Sequence, residues 1–263
     1  MPQRLGQHFL SDANWRGRIL RALDAQPHDV WLEIGAGRGE MTAELAAHAQ
    51  RVLAIELDAR LLPQLRATAE RLGNIAIISG DILAVDLRGA LEASGANRPR
   101  VYGSLPYYIT SPILRRLFQH AAALADVNVV IQREVAERLT AKPGTRDYGF
   151  LSVVTQFYTE PKIVLRIPPG AFRPPPRVES ALVRLNMRHT AGTGGNLDAP
   201  HFLEFVGHCF ARKRKTLANN LRGSFPVARI QAALLSQGLA ADARAEQLSL
   251  GQLTALFKAL AAE

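Results

Sequence analysis

A single cysteine, Cys209, occurs among the 263 residues. No disulfide can close within the chain and no cysteine cluster offers a zinc site, so no metal centre is expected. Long apolar runs are missing too. The longest have strand length, which excludes a membrane-spanning helix. Met1 to Leu10 has no apolar core of the kind a secretory leader carries. No internal repeat is present. These absences fit a reducing, cytoplasmic setting without a membrane partner; a monomer is also expected. Acidic residues are outnumbered, 23 against 32 Lys plus Arg, for a net charge of +9. That balance suits a polyanionic partner, nucleic acid or an anionic membrane, or simply a soluble basic protein. Disorder is excluded by ordinary proportions of hydrophobic (48%) and charged (21%) residues.

What is present is an alternation of short apolar runs with helical patterns. Spaced apolar residues from Leu10 to Gln26, with Ser11 or Asp12 as cap, predict a first helix, broken at Pro27-His28-Asp29. Val30 to Ile34, Val52 to Ile55, Ile75 to Ile78, Arg100 to Tyr102 and Val127 to Ile131 read as strands. Glu40 to Ala49, Ala59 to Leu72, Pro112 to Ala123 and Arg133 to Thr140 read as helices between and after them. Continuous apolar strands separated by helices predict a doubly wound, mostly parallel α/β sheet covered on both faces. Beyond Gly144, Lys162 to Ile167 and Val178 to Leu185 read as two strands around a proline-rich loop, an antiparallel edge to that sheet. Thr190 to Asn196 has linker composition. Phe202, Phe205, Val206, Cys209 and Phe210 then follow the spacing of one buried helix face. The expected domains are a catalytic one over 1–189 and a small all-helical one over 197–263.

Glu33-Ile34-Gly35-Ala36-Gly37-Arg38-Gly39 lies between a predicted strand and helix. Glycines there let backbone approach a ligand at the carboxyl end of the strands. A dinucleotide fingerprint wants a third glycine where this chain has Glu40. Glu56, ending the second strand, is placed to accept from both ribose hydroxyls. Asp81, after the third, is placed to accept from an adenine amino group. An adenosine crevice without a pyrophosphate clamp suits S-adenosylmethionine better than NAD.

Gly103-Ser104-Leu105-Pro106-Tyr107-Tyr108 ends the fourth strand. Ser104-Leu105-Pro106-Tyr107 resembles the Asn/Asp-Pro-Pro-Tyr and Asn-Leu-Pro-Tyr signatures of N6-adenine methyltransferases. The adenine amino lone pair is delocalised into the ring, so acceptors must draw that nitrogen towards tetrahedral geometry. The Ser104 side chain and the carbonyl of Leu105 or Pro106 are candidates. Pro106 fixes φ, and Tyr107 offers a face for a flipped-out base.

Taken over nearly its whole length, the chain resembles the bacterial 16S ribosomal RNA adenine dimethyltransferase family. Leu5-Gly6-Gln7-His8-Phe9-Leu10 is similar to its N-terminal Gly-Gln-Asn-Phe-Leu. The segment Ala171-Phe172-Arg173-Pro174-Pro175-Pro176-Arg177-Val178-Glu179-Ser180 is similar to its Phe-x-Pro-x-Pro-x-Val-x-Ser. The resemblance implies methylation of two adjacent adenines near the 3′ end of 16S rRNA within the 30S subunit. It implies cofactor contacts at His8, Leu10, Gly35, Gly37, Glu56, Leu57, Asp81, Ile82 and Ser104, and catalysis by Ser104, Leu105, Pro106, Tyr107 and Phe172. Phe172 would be the second stacking wall.

Two positions depart from the family. Ser104 stands where Asn is usual and reaches about one bond less far; His8 also replaces Asn. Arg212-Lys213-Arg214-Lys215, following the apolar helix face, is the expected phosphate-binding run. Arg133 and Arg138, with Lys142 and Arg146, form a second basic set. Competing readings are a large-subunit rRNA adenine methyltransferase and an assembly factor with catalysis weakened by Ser104. An N6-adenine methyltransferase acting on DNA fits less well, since it has no use for the C-terminal helices.

Overall fold

A computed structural model describes residues 8–188 and 197–261. The predicted linker, Thr190 to Asn196, and Leu5-Gly6-Gln7 lie outside the described residues. The chain divides into two compact units, Met1–Ala136 with Glu160–Met187, and Glu137–Thr159 with Arg188–Glu263. This differs from the split at 189 expected from sequence, because the stretch 137–159 goes with the C-terminal helices.

In the first unit the chain forms β1 (Phe9–Leu10), α1 (Ala13–Leu23), β2 (Val30–Ile34), α2 (Glu40–Ala46), β3 (Arg51–Glu56), α3 (Leu62–Leu72) and β4 (Ile75–Ser79). It continues through α4 (Leu87–Ala93), β5 (Arg100–Ser104), α5 (Thr110–Phe118) and β6 (Asp126–Gln132). Helix α6 (Arg133–Thr140) runs across the division into the second unit, which also holds α7 (Phe150–Tyr158). The first unit resumes with β7 (Thr159–Ile167), β8 (Phe172–Arg173) and β9 (Ser180–Met187).

Seven strands make one sheet in the order β4-β3-β2-β5-β6-β9-β7. Neighbours from β4 to β6 are parallel, and β9 runs antiparallel to β6. All five residues of β2 are buried, as are the first six of β6. Such strands need mostly apolar side chains on both faces, which is why they read as apolar runs, interrupted here by the buried Glu33 and Asn128. The expected α/β fold and its antiparallel edge are therefore present. At the amino ends of the strands Arg100 joins β5 to its neighbours. Its guanidinium reaches Asp29 at 2.8 Å and Asp126 at 2.9 Å and lies over the Trp31 ring at 4.3 Å.

Leu10 does not begin the first helix. Phe9 and Leu10 pair antiparallel with Arg173 and Phe172 to form a separate two-stranded ribbon. Helix α1 starts after Asp12, whose carboxylate accepts from the Trp15 N–H at 3.1 Å. The helix expected to run to Ala123 stops at Phe118, followed by a short turn over Ala121–Ala123. Two helices, α4 and α7, were not expected at all.

The second unit adds α8 (Ala199–Cys209), α9 (Leu217–Leu221), α10 (Val227–Ser236) and α11 (Leu250–Ala261). Phe202, Phe205, Val206 and Cys209 form the buried face of α8, as their spacing predicts. Phe157 of α7 stacks on Phe202 with ring centroids 5.1 Å apart, and Val153 joins the same core. Burial of this α7 face against α8 and α11 explains why 137–159 belongs to the helical unit. Truncation of Phe157, which is fully buried, to alanine should cost about 3–5 kcal/mol. Urea denaturation of the variant checks this; a loss below about 1 kcal/mol would show that α7 is not part of that core.

Candidate active site

The strand order reverses beside β2: β3 and β4 build outwards on one side, and the chain then returns to place β5 on the other. Loops leaving the carboxyl ends of β2 and β5 diverge, and a crevice opens between them. The two strands approach closely. A Cβ on Gly103 would sit 3.1 Å from the Ile34 carbonyl oxygen, so glycine is what this contact accepts.

The glycine loop after β2 is organised around one carboxylate. Gly37 takes a left-handed φ of 60°, and its N–H donates to Glu56 Oε2 at 2.6 Å. The Asp58 N–H donates to Glu56 Oε1 at 2.7 Å. Both oxygens are thereby oriented, and each keeps a second lone pair for a ligand hydroxyl. Asp81 Oδ1 accepts from the Leu83 N–H at 2.8 Å, and Oδ2 has no hydrogen bond among the described residues. Leu57 is 48% exposed, an open apolar wall beside these two acids.

All the expected cofactor and catalytic positions line this one crevice: His8, Leu10, Gly35, Gly37, Glu56, Leu57, Asp81, Ile82, Ser104, Leu105, Pro106, Tyr107 and Phe172. Their roles are a matter for the functional proposal; their convergence is structural. Leu105 is buried and its N–H donates to the Val130 carbonyl at 3.0 Å. The Pro106 carbonyl is occupied, accepting from the Ile109 N–H and the Thr110 hydroxyl, each at 3.2 Å. Among the described residues the Leu105 carbonyl and the half-buried Ser104 hydroxyl have no hydrogen bond. They are the free polar groups at the turn. Tyr107 is held in place: its hydroxyl lies 2.8 Å from the Ser180 hydroxyl, and the His8 ring stacks against it at 5.7 Å. Phe172 is 3% exposed, packed into the core and lining the crevice.

Sequence reasoning missed part of this lining. Arg16, Glu40, Met41 and Tyr102 face the same crevice, and so does Glu33. Glu33 is buried with Oε2 lacking a hydrogen-bond partner among the described residues. Burial first, and then the neighbouring Glu56 and Glu40 charges, push its carboxyl up to about 8. The only earlier signal was its place just before the glycine loop. An orphaned carboxyl oxygen and four acidic side chains suit a cationic ligand. A loop whose amide is given to Glu56 offers no pyrophosphate cradle. The residues present therefore fit S-adenosylmethionine.

The sequence matches the ribosomal RNA adenine dimethylase family over residues 2–262. The chain belongs to that family. Its activity is accordingly S-adenosylmethionine-dependent dimethylation of adenine in ribosomal RNA. A ribosomal RNA small subunit methyltransferase A from Acidobacterium capsulatum is 46% identical over 98% of this chain and 90% of its own. A dimethyladenosine transferase from Plasmodium falciparum shares the fold, with a TM-score of 0.82 at 22% identity, covering 95% of this chain and 96% of that one. The 23S rRNA methyltransferase ErmE superposes with a TM-score of 0.74 at 28% identity, covering 96% and 99%.

The basic residues lie differently from expectation. Arg212, Lys213, Arg214 and Lys215 do not continue a helix; they form an exposed turn between α8 and α9. Arg214 takes a left-handed φ of 65°, and Arg212 donates to the Asn219 carbonyl at 2.6 Å. Arg133 pairs with Glu179 at 2.6 Å, so part of its charge is already answered. Arg138 is exposed and belongs to the second unit, Arg133 to the first. No group of three His, Cys, Asp or Glu able to hold a metal occurs among the described residues, and no helix is long and apolar enough to cross a membrane.

The raised Glu33 carboxyl has a stability consequence. In the unfolded chain it ionises near 4.5, while in the fold it keeps its proton to about 8. The unfolded state therefore gains from deprotonation between those values, and stability falls as pH rises through them. Glu33→Gln should match wild type near pH 4.5 and exceed its thermal midpoint by a few degrees at pH 9. Melting curves of the ligand-free proteins test this. A difference that does not grow with pH would mean Glu33 is ionised throughout.

Proposed function

We propose that this enzyme methylates N6 of two adjacent adenines near the 3′ end of 16S rRNA in the 30S subunit, forming N6,N6-dimethyladenosine during small-subunit assembly in the cytoplasm. The observation that carries the substrate is similarity, over nearly the full length of both chains, to a protein named for small-subunit rRNA methylation. The crevice supplies the chemistry.

S-adenosylmethionine, when bound, presents a methyl group on a sulfonium, ready for in-line displacement. Glu56 is the residue for the ribose hydroxyls, Asp81 for the adenine amino group, and Leu57 and Ile82 for the purine faces. Gly35 and Gly37 leave room at the backbone. His8 and Leu10 cover the methionine end. The target adenine stacks on Tyr107, whose hydroxyl is anchored by the Ser180 hydrogen bond. Phe172 is the wall opposite. The Ser104 hydroxyl and Leu105 carbonyl accept from the two N6 hydrogens, drawing lone-pair density back onto nitrogen. The Pro106 turn fixes both acceptors, and such positioning is worth several orders of magnitude in rate. The Arg212–Lys215 turn, with Arg133 and Arg138, contacts phosphates, and recognition rests on RNA shape and splayed bases.

Incubation with labelled S-adenosylmethionine and immature 30S subunits, 50S subunits or duplex DNA tests the proposal. Dimethyladenosine near the 3′ end of 16S rRNA is expected. Label confined to large-subunit RNA would overturn the substrate, and no label with cofactor binding intact would favour the assembly-factor reading. Ser104→Asn should turn over at an equal or higher rate, because the amide carbonyl extends the acceptor. A large drop would show a pocket built around serine.

A further inference from the structure

The cofactor's amino-acid end carries a carboxylate, and the crevice has few groups to receive it. The usual receptor would be backbone amides at the glycine loop, yet four of the five from Gly35 to Gly39 are engaged. Gly35 and Ala36 N–H both donate to the Ile55 carbonyl, Gly37 to Glu56 and Gly39 to the Ala36 carbonyl. His8 Nδ1 is taken by the Pro174 carbonyl at 2.8 Å. The other lining acids are Glu40, Glu56 and Asp81, whose carboxylates repel an anion, and the buried Glu33.

One cation stands among them. Arg16, on the first turn of α1, is the sole guanidinium or ammonium among the described lining residues. Its Nη1 donates to the carbonyls of Leu10 at 3.2 Å and Ser11 at 2.8 Å, so the fork is fixed against the β1 segment. No carboxylate forms an ion pair with it among the described residues, although the crevice is rich in them. Its Nε is buried without a hydrogen-bond partner, and Nη2 has none among the described residues either. A half-buried guanidinium with unused donors is costly unless an anion completes it.

We propose that Arg16 is the anchor for the carboxylate of the cofactor's amino-acid moiety. The inference rests on the reading of this crevice as the S-adenosylmethionine site. It gives Arg16 two tasks: Nη1 fixes the turn that carries β1 into α1, and the rest of the fork takes the carboxylate. A planar fork meets a carboxylate with two parallel hydrogen bonds, which lysine cannot reproduce. Cofactor binding and the position of the β1 segment are thereby joined through one side chain.

Two ligands that differ only in the amino-acid end provide the test. S-adenosylhomocysteine has it, and 5′-methylthioadenosine lacks it. Affinities are measured by titration calorimetry on the full-length protein. Arg16→Met should weaken S-adenosylhomocysteine by at least about 10-fold, the effect expected for losing a charge-assisted pair, and 5′-methylthioadenosine by less than about 2-fold. Arg16→Lys, which keeps charge without the fork, should fall between, and it carries the comparison if Arg16→Met does not fold. Equal losses for both ligands would assign Arg16 to the β1 segment alone and overturn the proposal, as would no loss for either. Wild-type protein that binds neither ligand would instead overturn the cofactor reading on which the proposal stands.

Discussion

Everything at the site depends on the reversal of strand order at β2. A parallel sheet extended in one direction only would send its loops the same way and leave no crevice. Here the β2 loop turns towards β3 and the β5 loop towards β6, and the gap between them becomes the binding site. Gly103 lets the two strands come close enough to hold the gap's floor rigid. Arg100, tied to Asp29 and Asp126, secures the opposite end of the same strands. Precision at the carboxyl ends thus rests partly on an ion-pair cluster far from the chemistry.

The acidic side chains of the crevice divide into two kinds. Glu56 is held in one orientation by two backbone amides. Glu33 has no such support, and burial keeps it protonated near neutral pH. Neighbouring carboxylates crowded into a low-dielectric space do not all ionise. The fold resolves the conflict by satisfying one and neutralising another.

Much of this was legible before any coordinates. The runs Val30–Ile34, Val52–Ile55 and Val127–Ile131 announced a buried parallel sheet, since strands covered on both faces are apolar at nearly every position, Glu33 and Asn128 being the exceptions. Glu56, Asp81 and the Ser104–Tyr107 turn were visible because motif spacing places them at strand ends. Other parts depend on partners distant in sequence. A two-residue strand such as Phe9–Leu10 has no periodicity of its own and exists only by pairing with Arg173 and Phe172. Helix α7 was not read because Val153, Val154 and Thr155 in succession are weak helix formers, and packing against α8 overrides that preference. Arg16 looks like an ordinary polar position on an amphipathic helix. The basic run gave no sign of its turn, in which Arg214 takes a left-handed φ.

The pairing of Phe9–Leu10 with Phe172–Arg173 also has a bearing on how the chain is made. A nascent chain with its first 165 residues free already carries the glycine loop, Glu56, Asp81 and the Ser104–Tyr107 turn. It lacks the strand that holds Phe9 and Leu10 in place, and it lacks the Ser180 hydroxyl that fixes Tyr107. The crevice is therefore finished from both ends of the first unit at once, late in synthesis.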